Sequence, residues 1–399
     1  MTVNKVRRGV CILSFSPVYR DARVLRQIKY LSTYYDLHII GYGDPCKERN
    51  HDQGIQWHPL AKPEKNIVKK ILHAALLLSG RITPRLIEYA YWSEPQHMKA
   101  LELICMSGCS AIHANDLEAL PLAAVAARQL GCLLVYDAHE YSPLEFESSP
   151  IWRLLQTHHI RYFLNRYGPM VDASMTVAPL IAKRYRDEWQ LDPIVVRNIS
   201  ELVDVKDHFV DPRQIRLIHH GGANRERKLE AMIETLSLCD ERFHLDFMLV
   251  GNEKYIKQLQ VLSERMAPGK ITFRPPVPPD RIVRVIAEYD VGIYILSPDI
   301  YNCYVSLPNK LFDFIMAGLA VIIGPSPSMA EIVHQYNLGR VAPSFKPADV
   351  AKMLDRLSAE QIEEMRRAAR SASKTLNADN EMQKVIDLYD RLFQNLLRG

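Results

Sequence analysis

Short apolar runs alternate with segments of helical periodicity along the whole chain. Strand-like runs include GVCILSF, DLHIIGYG, CLLVYDAHE, IRLIHHGG, HLDFMLVGN and LAVIIGP. Between them lie helical patterns such as DARVLRQIKYLSTY and LEALPLAAVAARQLG. Strands that alternate with helices favour parallel, doubly wound sheets. The pattern therefore predicts an α/β fold of this class.

The number of strand-like runs predicts two domains, because about a dozen strands are too many for one doubly wound unit. The polar segment RNISELVDVKDHFVDPRQ precedes a fresh strand at Ile215 and marks the break. We expect Rossmann-like domains over residues 1–198 and 199–378, facing across a cleft, and a last helix at about 379–399 that could pack back on the first domain. Ligands of such sheets bind at the carboxyl ends of strands and at helix N-termini.

The first such loop of the second half is rich in glycine and cations. Gly221 and Gly222 let the backbone approach a ligand. Arg225, Arg227 and Lys228 crowd the start of the next helix, where cations oppose the helix dipole unless an anion such as phosphate lies between them. A solvated basic loop is the alternative.

Two later loops are weaker candidates. Gly251 ends the next strand, where backbone again could face a ligand. Val277 lies in the proline-rich corner FRPPVPPDRI, whose exposed backbone could read the edge of a base. A plain turn explains that corner equally well.

The segment VSLPNKLFDFIMAGLAVI carries a cation and a carboxylate on one face of a helix start. Asp313 can accept two hydrogen bonds from a ribose diol, and Lys310 can balance phosphate charge. Backbone N–H groups around the loop can meet the phosphate itself; they belong to Ser306, Leu307 and Asn309. The alternative is a local Lys–Asp pair worth only about 0.3–0.5 kcal/mol.

Polar residues also follow strands of the first half. Arg20, Asp21 and Arg23 enter a helix after the first strand, although Asp21 could simply cap that helix. His139 and Glu140 end a later strand and form a candidate site.

A further strand of the first half ends in His113 and Asp116, in the motif IHAND. The favoured interpretation is that these two side chains stabilise their loop.

The composition of the chain excludes several classes of protein but does not indicate a function. The chain has 399 residues, 48% hydrophobic and 24% charged, as ordinary globular proteins have. No apolar run reaches the ~18–20 residues of a membrane span. The basic start precedes too short an apolar stretch for a signal peptide, and the scattered cysteines show no zinc spacing. These features predict a reduced, cytoplasmic protein without a metal site.

Charge is uneven along the chain. Residues 1–100 hold 16 Lys and Arg against 8 Asp and Glu, a net +8, whereas the whole chain carries +4. The segment KPEKNIVKKILHAALLLSG, within residues 62–80, predicts a basic amphipathic helix. One interpretation is a helix that packs on the sheet and exposes its basic side to solvent. The other is contact with an anionic surface, for which we favour a membrane at the inner face of the plasma membrane over nucleic acid.

Five of these segments, in register, resemble the retaining GT-B-fold glycosyltransferases that build bacterial surface polysaccharides such as capsule, lipopolysaccharide and exopolysaccharide. They are RDARVLRQ, IHANDLEALPLAAVAA, VYDAHE, GGANRERKLEAMIE and SLPNKLFDFIMAGLAVI. The resemblance implies a nucleotide-diphosphate sugar donor on the second domain, with UDP or GDP as the nucleotide. It implies a glycan or polyprenyl-linked saccharide acceptor on the first domain, and no obligatory metal or cofactor. As candidates for the acceptor side we count Arg20, Asp21, Arg23, Asp116 and Glu140.

The resemblance also implies roles for individual residues. Arg227 matches the family's basic phosphate ligand, and Lys228 replaces the glycine that follows it. Asp313 matches the second acid of a Glu-x7-Glu motif, which binds ribose. His139 would support the sugar at the anomeric centre and need not act as a general base.

One position departs from the family pattern. Val305 stands where the first glutamate of the motif is expected, so sugar recognition could fall to Asp299, Asn302 and Ser306 instead. This departure keeps two alternatives open: another GT-B-fold sugar-nucleotide enzyme, such as an epimerase or phosphorylase, and a scaffold that binds nucleotide sugars without catalysis.

Overall fold

The protein was analysed as a computed structural model that describes residues 7–43, 54–63, 67–295 and 298–396, without the side chains of residues 69 and 70. The chain divides into two compact units. The first comprises Met1–Val196 and Met382–Gly399, and the second comprises Arg197–Glu381.

The first unit is built on a seven-stranded parallel sheet in the order β3-β2-β1-β4-β5-β6-β7. Its strands are β1 (Gly9–Pro17), β2 (Asp36–Tyr42), β3 (Ile55–Leu60), β4 (Ala111–Asn115), β5 (Leu133–Ala138), β6 (Ala173–Thr176) and β7 (Ile194–Val195). Its helices are α1 (Ala22–Leu31), α2 (Ile67–Ser79), α3 (Arg85–Trp92), α4 (Pro95–Ser107), α5 (Asp116–Leu130), α6 (Pro150–Leu155), α7 (Thr157–Tyr167) and α8 (Pro179–Trp189).

The second unit is built on a six-stranded parallel sheet in the order β10-β9-β8-β11-β12-β13. Its strands are β8 (Ile215–Ala223), β9 (Phe243–Gly251), β10 (Ile271–Arg274), β11 (Val291–Tyr294), β12 (Ala320–Ile323) and β13 (Gly339–Val341). Its helices are α9 (Glu230–Leu238), α10 (Glu253–Met266), α11 (Ile282–Ile286), α12 (Tyr301–Val305), α13 (Asn309–Met316), α14 (Pro327–Tyr336), α15 (Pro347–Asp355) and α16 (Ala359–Ser373).

The last helix, α17 (Ala378–Leu396), contributes to the core of the first unit. Its apolar side chains Met382, Val385, Tyr389 and Phe393 are buried in the same cluster as those of β1 and β2. The Tyr389 hydroxyl lies 2.9 Å from Nδ1 of His113, beneath the centre of the sheet. The helix is thereby fixed to the first unit by both apolar packing and a polar contact.

The position of α13 in the second unit depends on a close approach to the sheet. A Cβ atom at Gly292 of β11 would lie 2.3 to 2.6 Å from ring atoms of Phe314, so only glycine leaves room for this ring. Every residue of α13 from Lys310 to Met316 is buried. The helix start is therefore held rigidly beside the carboxyl ends of β8 and β11.

The predicted fold class, two parallel α/β units, is confirmed. The sequence pattern missed the edge strands β3 and β13, because IQWHPL mixes apolar with polar residues and contains a proline, and GRV has only three residues.

Candidate active site

The second unit places a lysine against a glycine turn at the end of β8. Gly221 adopts a φ of 113°, in the region that favours glycine. A Cβ atom at this position would lie 2.5 Å from Cε and 2.6 Å from Nζ of Lys310. The Lys310 side chain therefore lies directly on the Gly221 backbone. On its other side its ammonium lies 5.3 Å from the ring centre of Tyr294.

Burial makes Lys310 an unusual cation. The side chain is only 8% exposed. Burial and the nearby charge of Arg227 lower the pKa of Lys310 to about 7, although the charge of Asp313 acts in the opposite direction. A buried ammonium next to another cation is stabilised by any anion that arrives between them.

Arg227 is the second cation of this cluster. It lies in the short helical turn Arg225–Arg227 and donates from Nη1 to the carbonyl of Gly222 over 3.3 Å. Among the ion pairs of the described residues, none involves Arg227 or Lys310. Two cations that converge without a carboxylate partner on a glycine turn form the arrangement that binds phosphate.

Asp313 lies one turn into α13 and is also buried. Its Oδ1 accepts a hydrogen bond from Ser200 over 3.0 Å, and its Oδ2 lies 3.6 Å from Nε2 of His220. Burial and the charge of Lys310 lower the pKa of His220 to about 3, so its imidazole is neutral. Within the described part of the chain, His220 Nε2 is buried without a hydrogen-bond partner.

Sequence reasoning missed Ser200, His220 and Tyr294 as members of this cluster. A histidine inside a strand and a serine in the irregular start of the second unit give no local signal. Only the register of β8 and the fold of residues 197–202 bring His220 and Ser200 to Asp313.

Helix α13 begins at Asn309 and has no side-chain cap, because Pro308 occupies the N-cap position. The first N–H groups of the helix therefore point out of its start unmasked by a side chain. Leu307 is buried, whereas Ser306 donates from Oγ to the carbonyl of Cys303 over 3.2 Å. The hydroxyl of Ser306 is thus directed back into its own loop.

Two predicted phosphate ligands, Lys228 and Arg225, have side chains that contact other residues of the protein. The Lys228 ammonium forms an ion pair with Asp299. Arg225 donates to Gln258, and its guanidinium lies 4.8 Å from the ring centre of Tyr255. Lys228 adopts a φ of 47°, the left-handed conformation that explains why the resembling family has glycine there.

The departure at Val305 has a structural reason. Val305 ends α12 and is 3% exposed, so its side chain belongs to the core. Its carbonyl accepts a hydrogen bond from Ser328 over 2.6 Å. Asn302 is buried as well, and Asp299 pairs with Lys228, so neither presents a free side chain in place of the missing glutamate.

Gly251 and Val277 occupy loops at the same edge of the second sheet. Gly251 ends β9 with a φ of 109°, and Val277 lies half-buried in the loop after β10. No contact of either residue distinguishes a base-binding role from a plain turn.

The first unit has its own polar cluster at the carboxyl ends of β4 and β5. Asp137 is fully buried and accepts hydrogen bonds from Arg23 over 2.6 and 2.7 Å and from Gln27 over 2.6 Å. Burial alone would raise the pKa of Asp137, but Arg23 and His139 outweigh it and hold the pKa well below its usual range. Asp137 is therefore an ionised carboxylate that organises the residues around it.

His139 is the centre of the exposed part of this cluster. Its Nδ1 lies 3.1 Å from Asp116, and its Nε2 lies 3.3 Å from Asp137 and 3.1 Å from the side-chain oxygen of Asn115. Burial would lower the pKa of His139, but Asp116 and Asp137 raise it to about 10. The imidazole is therefore doubly protonated and cannot act as a general base near neutral pH.

Asp116 is strained and half exposed. It adopts a φ of 63° at the first residue of α5, a conformation that non-glycine residues rarely hold without a compensating contact. Its carboxylate compensates by accepting from the backbone N–H of His139 as well as pairing with the imidazole. Asp116 was expected to stabilise its loop and was also a candidate for the acceptor side; in the structure it contacts the candidate residue His139.

The remaining predicted residues of the first unit divide between surface and interior. Asp21 caps α1 by accepting from the backbone N–H groups of Arg23 and Val24, as the capping alternative proposed. Arg23 is 5% exposed and lies behind the surface as the partner of Asp137, which corrects its expected place on the acceptor face. Arg20 and Glu140 are exposed.

Two broader searches of the described residues complete the site. No group of three or more His, Cys, Asp or Glu side chains in that part of the chain could hold a metal ion. No helix within it is long and apolar enough to cross a membrane.

Known proteins resemble this chain in one family model and in overall fold. Residues 214–360 match the family described as "Glycosyl transferases group 1". No curated protein sequence matches the chain. Three solved structures resemble the fold of this chain, each with a TM-score of 0.70. They are HepE from Anabaena in complex with UDP and glucose, a glycosyltransferase from Rickettsia africae and sucrose-phosphate synthase from Thermosynechococcus elongatus.

Sequence identity to these structures is low although the coverage is nearly complete. HepE is 12% identical over 96% of this chain and 100% of its own. The Rickettsia and Thermosynechococcus proteins are 11% and 13% identical, each over 98% of this chain and 100% of their own. Residues 214–360 therefore match the group 1 glycosyl transferases, and the chain as a whole has the GT-B fold of these structures.

Proposed function

We propose that the protein transfers a sugar from a nucleotide-diphosphate sugar to a hydroxyl of a glycan or lipid-linked saccharide, with retention of anomeric configuration. The observation that carries the proposal is the pair Arg227 and Lys310. These two cations have no carboxylate partner among the described residues, and they meet at the Gly221 turn and at the uncapped start of α13. A diphosphate fits this place in charge and in hydrogen-bonding capacity.

The chemistry assigned to these residues is stabilisation of the leaving group. Transfer breaks the bond between the anomeric carbon and a β-phosphate oxygen, and negative charge builds on that phosphate. Fixed cations at Arg227 and Lys310 stabilise this charge more in the transition state than in the ground state. In a retaining transfer the acceptor attacks from the leaving-group face, and the departing phosphate oxygen takes the acceptor proton.

UDP is the nucleotide we favour over GDP, since HepE was crystallised with UDP and glucose. Asp313 is proposed as the ribose ligand, with Ser200 and His220 beside it. The hydrogen bond from Ser200 occupies one acceptor site of the carboxylate, and the sites that remain are the ones we propose for the ribose hydroxyls. His220 Nε2, neutral and without a hydrogen-bond partner in the described structure, is then available to the same hydroxyls.

The acceptor is assigned to the first unit, where Asp116, His139 and Glu140 lie at the carboxyl ends of its strands. The doubly protonated His139 contributes fixed positive charge and orients Asp116 rather than removing a proton. We place the reaction in the assembly of capsule, lipopolysaccharide or exopolysaccharide, at the inner face of the plasma membrane. The excess positive charge of residues 1–100 supports an anionic or membrane-linked acceptor.

Calorimetry with UDP, GDP and UDP-glucose tests the donor site. We expect UDP to bind, and Asp313→Asn to weaken binding with little loss of thermal stability, because an amide has one oxygen acceptor where a carboxylate has two. Unchanged affinity together with a large drop in melting temperature would make Asp313 structural. If no nucleotide binds at all, the proposal is wrong.

Product analysis separates the proposal from its alternatives. A transferase releases nucleoside diphosphate only when acceptor is present, and the sugar is found on the acceptor. An epimerase returns an isomerised sugar without any acceptor, and a phosphorylase requires inorganic phosphate. Nucleotide binding without any of these products would identify a scaffold, for which the core position of Val305 is the best argument.

A further inference from the structure

Helix α2 carries its apolar face outward. Ile67, Val68, Ile71 and Leu72 are between 59% and 69% exposed, and Leu78 continues the same stripe about two turns after Ile71. The inward side of the helix end is formed by Leu77 and Gly80, which are buried. The expectation that this amphipathic helix packs its apolar face on the sheet is therefore wrong for the residues described.

The apolar surface extends beyond α2 onto neighbouring segments. Helix α2 packs against α3 and α6. Arg81 donates to the carbonyl of Leu154 over 2.6 Å, which ties the loop after α2 to α6. Ile82 in this loop is 89% exposed, and Ile151 on α6 is 71% exposed. We call the exposed apolar residues of these segments the α2–α6 surface: Ile67, Val68, Ile71, Leu72, Leu78, Ile82, Ile151 and Leu154.

The segments of this surface are basic, and the carboxylates of Glu88 and Glu94 lie beside them, where they contact Arg166 and His73. Residues 67–87 contain four Lys and Arg and no Asp or Glu, and residues 148–171 contain three Arg and no Asp or Glu. Arg85 and Arg153 are exposed on α3 and α6. Lys65 lies outside the described residues, as do the side chains of Lys69 and Lys70.

An apolar patch rimmed by an excess of cations complements an anionic lipid bilayer. Apolar side chains enter the boundary between headgroups and acyl chains, while Lys and Arg remain at headgroup level. A second copy of the chain is a poorer occupant, because it would bring two rims of the same net charge together.

We propose that the α2–α6 surface docks the first unit on an anionic membrane, with α2 lying in the plane of the interface. The inference rests on the proposed function in one respect, since it places the acceptor-binding unit where a lipid-linked saccharide is found. It enlarges the predicted contact from residues 62–80 to include the loop at Ile82 and helix α6.

Vesicle flotation with the full chain tests the proposal. The probes are phosphatidylcholine vesicles and vesicles with about one third phosphatidylglycerol, each at low and high salt. We expect binding to the anionic vesicles alone and weaker binding at high salt. The triple variant Ile67→Ser/Ile71→Ser/Leu72→Ser is expected to bind at least about tenfold more weakly, because it removes apolar area without changing charge. The reversal Arg85→Glu/Arg153→Glu is expected to weaken binding as well.

Matched controls lie on the second unit. Phe209→Ser/Val261→Ser removes apolar side chains that are 89% and 67% exposed, and Arg284→Glu/Arg356→Glu reverses two exposed arginines. Both control variants should bind vesicles as the unaltered protein does. Calorimetric UDP binding is measured in parallel and should not change in any of these variants.

Three outcomes would overturn the inference. The protein could stay unbound with every vesicle, or the serine variant could float as well as the unaltered chain. Light scattering could instead reveal a dimer that the serine variant dissociates, which would assign the surface to a second copy. Absence of UDP binding with intact vesicle binding would overturn the proposed function and leave the docking surface standing.

Discussion

Arg227 and Lys310 are the two cations that we propose to bind the diphosphate of the donor. Guanidinium groups in general stay protonated in proteins, whereas a buried ammonium can lose its proton. Lys310 is buried, and its pKa is lowered to about 7. The two cations are therefore expected to differ in how their contributions depend on pH.

Replacing Arg227 by alanine should lower catalytic efficiency about 10- to 150-fold. A charge-assisted hydrogen bond to phosphate is worth about 1.5–3 kcal/mol, and each 1.4 kcal/mol is about tenfold in rate. Steady-state kinetics with varied donor measures the loss. Arg225→Ala is the matched control, because Arg225 contacts Gln258 and Tyr255 in this structure and should lose less. A folded Arg227→Ala enzyme with unaltered kinetics would refute the phosphate assignment.

Donor affinity should fall as pH rises above about 7. Lys310 is charged below its pKa of about 7, and an incoming diphosphate favours the charged form. Above that pH the donor must first recruit a proton, so affinity drops by at most about tenfold per pH unit. UDP-glucose is the suitable probe, because its diphosphate diester does not titrate between pH 6 and 9. Calorimetry of Lys310→Met should give weak binding without this slope; an identical slope in the variant would assign the proton elsewhere.

At the scale of elements, the β8 turn and the start of α13 form one structural unit through Gly221 and Lys310. An alanine at residue 221 is strained by its φ of 113° and also collides with Lys310. Gly221→Ala is therefore expected to lose thermal stability and nucleotide binding together. The strain of an alanine at such a φ costs about 1–3 kcal/mol, before any contribution of the collision.

Gly269→Ala is the control for a variant that strains the backbone but does not collide with another side chain. Gly269 has a φ of 76°, and a Cβ atom there would meet nothing within 4 Å. This variant should lower the melting temperature and leave UDP affinity unchanged. Equal loss of UDP affinity in both variants would show that global stability, rather than the position of Lys310, determines binding.

The polar cluster of the first unit predicts a stability profile with pH. The folded pKa of His139 is raised to about 10, so its contribution is complete below its unfolded pKa of about 6.5 and is lost as pH rises through 10. Asp137 has a lowered pKa, so its contribution is present above its unfolded pKa of about 4 and is lost as pH falls further. The cluster should therefore stabilise the unit most between about pH 4 and about pH 6.5, where both contributions are complete.

Denaturant unfolding of His139→Gln measures this effect. The variant should be less stable at pH 6 and should lack a decline of up to about 1.4 kcal/mol per pH unit on the alkaline side. His334→Gln, at an exposed histidine of the second unit, should keep that decline. Parallel profiles for His139→Gln and the unaltered protein would contradict the assigned charge.

At the scale of the whole molecule, transfer requires the donor chemistry of one unit and the acceptor of the other. We expect EDTA to leave turnover intact, because arginine, lysine and a helix start are available to hold the diphosphate. Activity is measured as nucleoside diphosphate released in the presence of acceptor. Loss of activity on chelation, restored by Mg²⁺ or Mn²⁺, would contradict the prediction.

The sequence by itself determined the fold class and the loops that carry the site. Alternating apolar runs and helical periods specify parallel α/β units, because strand burial and helix amphipathicity are local patterns. Glycines at positive φ, the uncapped start of α13 and the cation Arg227 were also readable, since each depends on residues close in sequence.

Only the tertiary structure decided which of those residues act together and which way they face. Lys310 meets Gly221 across 89 positions of sequence, and His220 meets Asp313 through strand register. Arg23 was expected on the acceptor side and lies inside, because its guanidinium pairs with the buried carboxylate of Asp137 on β5. The apolar face of α2 is the clearest case, since periodicity defines a face but only packing determines whether that face is covered.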